Sequence, residues 1–492
     1  MKKVGKYVAI TFLLLLGLCC VGVLYLFFIP NSSLFNITYI NNHKSYCSLN
    51  YDISTISQVN VNSRSYDVNI LETDKTVVYT EVFSNSFGFV LQSNKNPTIS
   101  SSVQNGVLTF NIIEPYGFAT KGDSYINVYL PKTSQLNLNL KNKNAETSLN
   151  SKNVTINNLT YQTTNGDFNF ENGTINGSLN LTLNKSTFYI SSTASTNSNK
   201  VELKLTSGKF YAKHSKFGNI EIKRNERGTI SVNECADLIQ NSKSAGGQIS
   251  VKKLDYINVK TGDTIINLGH VRHGASIDIT KSGNIKINTL IGSSTIITRS
   301  GNIKIKNCED PAVLHTDTGD IKVTNAKKII RIKTNYGQVN VNFADDAEHY
   351  SVSKNSRILY ANIYNGKLTA KGVEHIGVAD EQDPETILGI TVTGNGRVNL
   401  RMNDVCGENM ISGKNGNVSL VVDSNSKYML TTASKSGAVR VNLMQTTSYY
   451  GYTAKSSTTT AVNCSTSDNT LSVTTKNGDL TLLDSIIYQN GF

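Results

Sequence analysis

Apolar and polar residues alternate along most of the chain, and the alternation restarts at a regular glycine. Four units, GNIKI at Gly283, GNIKI at Gly301, GDIKV at Gly319 and GQVNV at Gly337, follow one another every 18 residues. Alternation with a period of two predicts β-strands that bury one face. A fixed period near 20 residues predicts a solenoid in which each repeat forms one coil.

The same register recurs outside this central run. Looser copies begin at Gly166, Gly228, Gly247, Gly366, Gly396, Gly416, Gly437 and Gly478. Because no long segment beyond the N-terminus has a 3.6-residue period, helical and leucine-rich repeats are excluded. The predicted fold is all-β: a right-handed parallel β-solenoid, or β-helix, with coils of about 18–21 residues.

Each unit predicts its own packing. The residues two and four places after the glycine are apolar and should point inward, as Ile285 and Ile287 do in the first unit. Glycine itself fits a bend that needs positive φ or a close approach of two backbones. The polar residue that follows, such as Asn284 or Asp320, is expected to bond the backbone at this corner or to stack as a ladder.

The pattern divides the chain into four segments. Residues 1–30 are predicted to be a signal anchor, and 31–150, which lack the clean glycine period, a β-rich cap with the first coils. Residues 151–482 are the repeat domain, and 483–492 a C-terminal tail or cap. Both ends need covers because an exposed coil edge pairs with other chains.

The N-terminus contains the one long apolar run. Three lysines precede the segment from Val8 to Ile29, which Pro30 ends. This length predicts a transmembrane helix over 8–29, with a cytoplasmic N-terminus and the bulk of the chain extracellular or extracytoplasmic. The alternative is a cleaved signal peptide, although no small-x-small cleavage site follows the run.

Charge adds a candidate binding surface. The chain carries a net charge of +12 with a pI near 9.1, which on an outward-facing protein favours polyanions such as anionic glycopolymers, lipid headgroups or stray nucleic acid. A surface glycopolymer is the expected partner, and no specific nucleic acid is predicted. The candidate polyanion-binding residues are Lys281, Lys286, Arg299, Lys304, Lys306 and Lys322. Lys286, Lys304 and Lys322 stand three places after successive glycines, so coils stacked about 4.8 Å apart would align them as a ribbon of like charge. The alternative is a set of surface lysines that discourages lateral aggregation.

Aromatic and cysteine residues add less. The chain has no Trp, which weakens a sugar-stacking site, although Tyr449, Tyr450 and Tyr452 could substitute. Cys235 and Cys308 each stand seven places after a glycine, in an inward column, and are predicted to be free core residues. Cys47, Cys406 and Cys464 have no assigned state. No spacing of Cys and His indicates a metal site, and no cofactor is predicted.

The succession INVYLPKTSQLNLNL, TTNGDFNF and then SGNIKI, TGDIKV and NGDLTL resembles the putative-adhesin family of surface β-solenoid repeat proteins, over roughly residues 50–482. The resemblance implies a surface-exposed, adhesive or envelope-associated protein without established chemistry. We therefore expect a membrane-anchored, adhesin-like solenoid with a structural or binding role, and no enzymatic activity.

The alternative function is a carbohydrate-active β-helix enzyme, a lyase or hydrolase. Two insertions near 343–385 carry the carboxylates and histidines that such chemistry would need. They are Asp345, Asp346, Glu348, His349, Glu374, His375, Asp380, Glu381, Asp383 and Glu385. The RIK tripeptide at Arg331 resembles a motif of polygalacturonase-like enzymes, but it falls in register with the ordinary coil pattern. Solvated acidic loops are the simpler interpretation of the insertions.

Overall fold

A computed structural model describes residues 11–22 and most of 36–489, with larger gaps at 23–35, 91–97, 347–356 and 377–388. The chain forms two compact units, Met1–Asn199 and Lys200–Phe492, so the division falls inside the predicted repeat domain. Only 11–22 of the predicted membrane span lie in the described part, and they are helical. None of the helices in that part is both long and apolar enough to cross a membrane.

Unit 1 contains helix α1 and the first eighteen strands. Their bounds are α1 (residues 11–22), β1 (Asn36–Tyr39), β2 (His43–Cys47), a 3-10 turn (Ile53–Thr55), β3 (Gln58–Ser63), β4 (Asp67–Thr73), β5 (Tyr79–Ser84), β6 (Phe87–Val90), β7 (Thr98–Gln104), β8 (Val107–Ile113), β9 (Gly117–Thr120), β10 (Tyr125–Pro131), β11 (Leu136–Asn142), β12 (Thr147–Asn150), β13 (Thr155–Thr163), β14 (Phe168–Glu171), β15 (Thr174–Ile175), β16 (Leu179–Leu183), β17 (Thr187–Ile190) and β18 (Ser195–Thr196).

Unit 2 contains the remaining strands and a short C-terminal helix. Their bounds are β19 (Val201–Leu205), β20 (Lys209–Asn225), β21 (Thr229–Val271), β22 (Ala275–Ser282), β23 (Ile285–Leu290), β24 (Ser294–Ser300), β25 (Ile303–Cys308), β26 (Ala312–Thr318), β27 (Ile321–Ala326), β28 (Ile330–Phe343), β29 (Leu359–Val373), β30 (Ile390–Val392), β31 (Arg397–Met402), β32 (Glu408–Gly413), β33 (Val418–Val422), β34 (Tyr428–Ser434), β35 (Val439–Gln445), β36 (Ser448–Thr453), β37 (Thr458–Val462), β38 (Thr470–Thr475), β39 (Leu480–Asp484) and α2 (Ser485–Gln489).

The coils of unit 2 build two stacks of parallel strands. Stack A contains β22, β24, β26 and the first halves of β28 and β29, followed by β30 and β32. Stack B contains β23, β25, β27 and the second halves of β28 and β29, followed by β31 and β33. Each coil therefore contributes one strand, or half of a long strand, to each stack. This arrangement confirms the predicted parallel β-solenoid.

The inward columns follow the register that the sequence predicts. Ile285 lies opposite Ile303, which lies opposite Ile321, and Val339 continues the column. All four side chains are buried. On each strand, the residues that alternate with the buried ones face outward. The period-two alternation is therefore the direct result of one buried face per strand.

Glycine is required at the corner between the stacks. Gly301, Gly319 and Gly337 have φ values of 149°, 152° and 155°, a backbone conformation that residues with a Cβ rarely adopt. A Cβ at any of them would also lie closer than 3.0 Å to the carbonyl oxygen of the glycine one coil earlier. Conformation and close approach together explain why each repeat begins with this residue.

The polar residue after the glycine ties one coil to the next. The backbone N–H of Asn302 donates to Asn284 Oδ1, that of Asp320 to Asn302 Oδ1, and that of Gln338 to Asp320 Oδ1, each at 2.8 Å. This ladder confirms the predicted structural role of these side chains at the corner.

The last coil of the chain lies between two coils that precede it in sequence. β38 pairs with β32 on one side and β34 on the other, and β39 likewise pairs with β33 and β35. The ladder takes the same path, since Asp479 N–H donates to Asn417 Oδ1 at 3.0 Å and Ala438 N–H donates to Asp479 Oδ1 at 2.9 Å. The coil β34–β35 carries antiparallel β37 and β36 on its other edge.

Unit 1 begins with the same arrangement. Its coil β3–β4 lies between the coil β8–β10 and the coil β11–β12. Antiparallel strands follow on the outer side, with β7 on β8 and β5 on β10. We call these two arrangements the closing structures. In each of them, the coil that comes first or last in sequence lies one position in from the end of its stack, and antiparallel strands pair with the outermost coil.

Candidate binding surface

The predicted lysine column exists on stack B. Lys286 lies opposite Lys304, and Lys304 lies opposite Lys322, on three consecutive parallel strands. All three side chains are exposed because they occupy outward positions between buried apolar residues. Neighbouring strands are about 4.8 Å apart, so the three ammonium groups repel one another unless a counter-charge is present. Lys306 is also exposed, two residues further along β25.

Four further basic residues extend this surface. Lys367 on β29 lies opposite Arg397 on β31, and Lys371 lies opposite Arg401. All four are exposed. They stand one and five places after Gly366 and Gly396, whereas the predicted stack B candidates lie at the third place and, for Lys306 alone, at the fifth. The alternation rule would have found them, because the first, third and fifth places all face outward.

We call these eight residues the basic face: Lys286, Lys304, Lys306, Lys322, Lys367, Lys371, Arg397 and Arg401. None of them forms a salt bridge with any residue that the structure describes. The described strands of stack B between residues 284 and 402 contain no carboxylate, and Asp320, at the corner just before β27, already accepts the backbone N–H of Gln338 through Oδ1. The basic face is therefore a surface of largely uncompensated positive charge.

Lys281 and Arg299 lie elsewhere. They belong to stack A, where the pairing of β22 with β24 is irregular between Ile279 and Ser282. Lys281 Nζ is 3.7 Å from Asp263 Oδ2, so its charge is partly countered. Arg299 is exposed, and the register of the next strand places Asp317 beside it. This column is mixed in sign, unlike the lysine column of stack B.

A groove of about 990 Å³ adjoins the basic face. Its lining includes Lys371 and Arg401 from the basic face, together with the amides of Asn342 and Asn403. The remaining lining residues are Asn307, Glu309, Thr324, Asn325, Lys327, Phe343, Ala344, Asp345, Asp346 and Gly372. Both signs of charge meet here, so the groove differs from the uniformly basic strands beside it.

Lys327 partly neutralises the carboxylates that line this groove. Lys327 Nζ lies 3.1 Å from Glu309 Oε2 and 3.2 Å from Asp346 Oδ2. Hydrogen bonds to Glu309 and then to Asp346 raise the pKa of Lys327 above its ordinary value. Asp346 is therefore engaged in an ion pair.

The predicted acidic insertions contain a buried ion pair that the sequence analysis missed. Arg357 Nη1 donates to Glu374 Oε1 at 3.0 Å, and each side chain is only 3% exposed. Arg357 Nη2 also donates to the carbonyl oxygen of Asp345 at 2.9 Å. The interpretation of the insertions as solvated loops is thus wrong at Glu374. This carboxylate holds the end of the first insertion against the start of the second.

The remaining acidic and histidine candidates do not form a cluster in the described part of the chain. Glu348, His349, Asp380, Glu381, Asp383 and Glu385 lie outside the described residues. The Nδ1 atom of His375 contacts the carbonyl oxygen of Cys406, and burial lowers the pKa of this imidazole. Among the described residues, no group of three or more His, Cys, Asp or Glu side chains is arranged to hold a metal ion.

The two predicted core cysteines are buried and free. Cys308 lies opposite Leu290 and Ala326 in the inward column, as predicted, and Cys235 is buried opposite Phe217. Burial raises the pKa of each thiol to about 12. The side chains of Tyr449, Tyr450 and Tyr452, predicted as substitutes for Trp, lie outside the described part.

A family profile matches more than half of the chain. The profile of the family described as Toastrack DUF4097 matches residues 56–209 and 172–369. A crystal structure described as a putative cell adhesion protein from Clostridium sporogenes ATCC 15579 aligns with 90% of this chain and 100% of its own, at 7% sequence identity and a TM-score of 0.15. No curated protein matches the sequence. The matched segments include most of the glycine repeats on which the resemblance to a surface β-solenoid family rests, and that resemblance is confirmed: the chain belongs to the Toastrack DUF4097 family.

Proposed function

We propose that this chain is an adhesin-like binding scaffold of the cell surface or envelope that retains anionic polymers on its basic face. The observation that carries the proposal is the aligned lysine column, in which Lys286, Lys304 and Lys322 project from consecutive strands without described counter-charges. Such a ladder of like charge costs stability in isolation. A linear polyanion laid across the strands would relieve the repulsion and gain charge-assisted contacts.

The proposal also includes anchoring by the N-terminus. The apolar run from 8 to 29 would hold the chain in a membrane, and the preceding lysines would keep its first residues cytoplasmic. The two β units would then face the outside, where anionic glycopolymers are available. Under this proposal the chain binds and carries out no catalysis.

Retention on an anionic polymer tests the role of the lysine column. The full chain carrying Lys286→Gln, Lys304→Gln and Lys322→Gln together should bind immobilised polygalacturonate more weakly than the wild type. A matched control replaces Lys209, Lys427 and Lys476, three exposed lysines outside the basic face, by Gln. Because both variants lose the same net charge, only a specific surface makes them differ.

Salt dependence gives a second measurement. Displacement of counterions by several cations makes the logarithm of affinity fall linearly with the logarithm of salt concentration. The column variant should show a shallower slope than the control variant. Equal retention and equal slopes for the two variants would refute the basic face as the binding surface.

A further inference from the structure

Stack A presents tyrosines on its outward face at β28 and β29. Along β29 the outward positions are Tyr360, Asn362 and Tyr364, which alternate with the buried Leu359, Ala361 and Ile363. On the neighbouring strand β28, Arg331 lies opposite Tyr360, and Lys333 lies opposite Asn362. Strand geometry separates Tyr360 from Tyr364 by about 13 Å, with the amide midway between them.

The tyrosine rings at one end of this row are unusually accessible. Tyr364 is 46% exposed, and Tyr336, at the corner that ends the stack A half of β28, is 52% exposed. Their ring centroids are 5.9 Å apart and their planes meet at 79°, an edge-to-face pair. Each ring supports the other in a fixed orientation, which lowers the entropy lost when a ligand stacks on either one.

Basic groups lie beside the rings. The guanidinium of Arg331 lies 4.7 Å from the centroid of the Tyr360 ring, a cation–π contact that keeps this cation beside the ring. Lys333 is exposed and forms no ion pair with a described residue. Asp317 supplies a carboxylate on the adjacent strand β26. Its Oδ1 accepts a hydrogen bond from Asn335 Nδ2 at 3.1 Å and lies 3.2 Å from His315 Nε2. Two cations, those of Arg331 and Lys333, thus lie near one carboxylate, and this excess of positive charge favours an anionic ligand.

We propose that these residues form a glycan-binding platform for a polysaccharide that carries anionic groups. The platform comprises Arg331, Lys333, Tyr336, Tyr360, Asn362 and Tyr364. The C–H face of a pyranose ring packs on Tyr364 or Tyr336, the Asn362 amide exchanges hydrogen bonds with ring hydroxyls, and Lys333 and Arg331 bind the acidic substituents. The proposal shares its ligand class with the proposed function but rests on a different stack of strands.

Ring stacking separates this platform from the basic face. A flexible anion without rings satisfies lysines but gains nothing from exposed tyrosines. Single-stranded nucleic acid would also stack on tyrosines beside basic groups. An amide between two tyrosines instead suits a chain of hydroxyl-bearing rings, and the extracytoplasmic location that the proposed function assigns would supply glycans.

Because the chain contains no Trp, a single Tyr364→Trp substitution creates a specific reporter on the platform. Its fluorescence should change when polygalacturonate is added to the full chain and stay constant with inorganic polyphosphate. Tyr189→Trp is the matched control, since Tyr189 is 42% exposed on β17 in the other unit. Its fluorescence should respond to neither polymer.

Loss of the rings supplies the complementary test. Tyr336→Ala with Tyr364→Ala should weaken polygalacturonate binding about tenfold, as expected when interface aromatics are lost, and leave polyphosphate binding unchanged. Both sites are exposed, so circular dichroism and the melting temperature should stay near those of the wild type.

The outcomes distinguish the two proposals. If the column variant loses both polymers while the tyrosine variant keeps full polygalacturonate affinity, the platform is refuted and the basic face stands. If the tyrosine variant alone loses polygalacturonate, the platform stands and the basic face falls. Fluorescence of the Tyr364→Trp variant that responds to oligo-dT but not to polygalacturonate would assign the platform to nucleic acid and overturn the glycan proposal.

Discussion

Single positions in this chain are constrained by what lies one coil away. Glycine at the corner is the clearest case, because the carbonyl oxygen of the preceding glycine occupies the space that a Cβ would need. The adjacent polar side chain accepts a backbone N–H from the next coil. Both constraints act along the stack, so a change in one coil is felt in its neighbour.

Gly319→Ala should therefore destabilise the protein. Its φ of 152° alone costs about 1–3 kcal/mol for a residue with a side chain, and the contact with Gly301 adds to that penalty. Gly413→Ala is the control, since a Cβ there would meet nothing nearer than 3.5 Å. Chemical denaturation of both variants measures the difference. Equal midpoints would contradict the proposed role of the corner.

The buried thiol of Cys308 should make stability depend on alkaline pH. Burial raises its pKa to about 12, whereas an unfolded thiol ionises near 8.5. Its contribution is thus complete below about pH 8.5 and is lost as pH rises toward 12. Cys308→Ala should fall less steeply in unfolding free energy between about pH 9 and 11 than the wild type. Parallel curves would show that this thiol does not contribute.

At the scale of elements, the two insertions are organised by one ion pair. The backbone of Arg357 has a φ of 51°, and its side chain reaches both Glu374 and the Asp345 carbonyl. Since the first insertion ends at Arg357 and the second begins near Glu374, the pair joins the two at their roots.

Glu374→Gln should destabilise this region strongly. Removal of one partner leaves the Arg357 charge buried, which costs about 3–5 kcal/mol. Glu202→Gln is the matched control, because Glu202 pairs with Lys204 at 3.2 Å with side chains 26% and 52% exposed. Loss of such an exposed pair costs about 0–1 kcal/mol. A similar effect of both changes on thermal unfolding would argue against a structural role for the buried pair.

The same elements show what sequence could and could not predict. Coil register, the lysine column and the burial of Cys308 followed from the glycine period, because period-two alternation fixes which side chains point inward. The Arg357–Glu374 pair was not foreseeable, since charged residues in an insertion usually remain solvated. Only the fold reveals that two insertions from neighbouring coils meet there.

The order of coils was also beyond the sequence analysis. Units at Gly416, Gly437 and Gly478 look alike, and nothing in the pattern distinguishes a stack in chain order from any other order. The structure stacks them in the order Gly416, Gly478, Gly437, as the backbone contacts at each glycine show. Local pattern specifies a coil but carries no information about which coil lies beside it.

At the scale of the whole molecule, this order makes the last residues structurally central to unit 2. Removal of residues 466–492 deletes β38 and β39, and the coil β34–β35 loses its parallel partners. Hydrogen exchange should then show loss of protection across residues 428–462, with β22–β27 unchanged. Removal of residues 485–492 alone, which deletes α2, is the control. Retained protection in the longer truncation would contradict the observed coil order.

The closing structures also restrict where such proteins can gain or lose repeats. In the run from Gly283 to Gly337, neighbouring coils interact through the same glycine contact and the same ladder, and SGNIKI occurs twice without alteration. Duplication of one 18-residue unit in this central run would add a coil with every contact already provided. Duplication within either end would separate strands that must enclose the terminal coil. Gain and loss of repeats should therefore be confined to the middle, where each added unit also adds one more outward lysine.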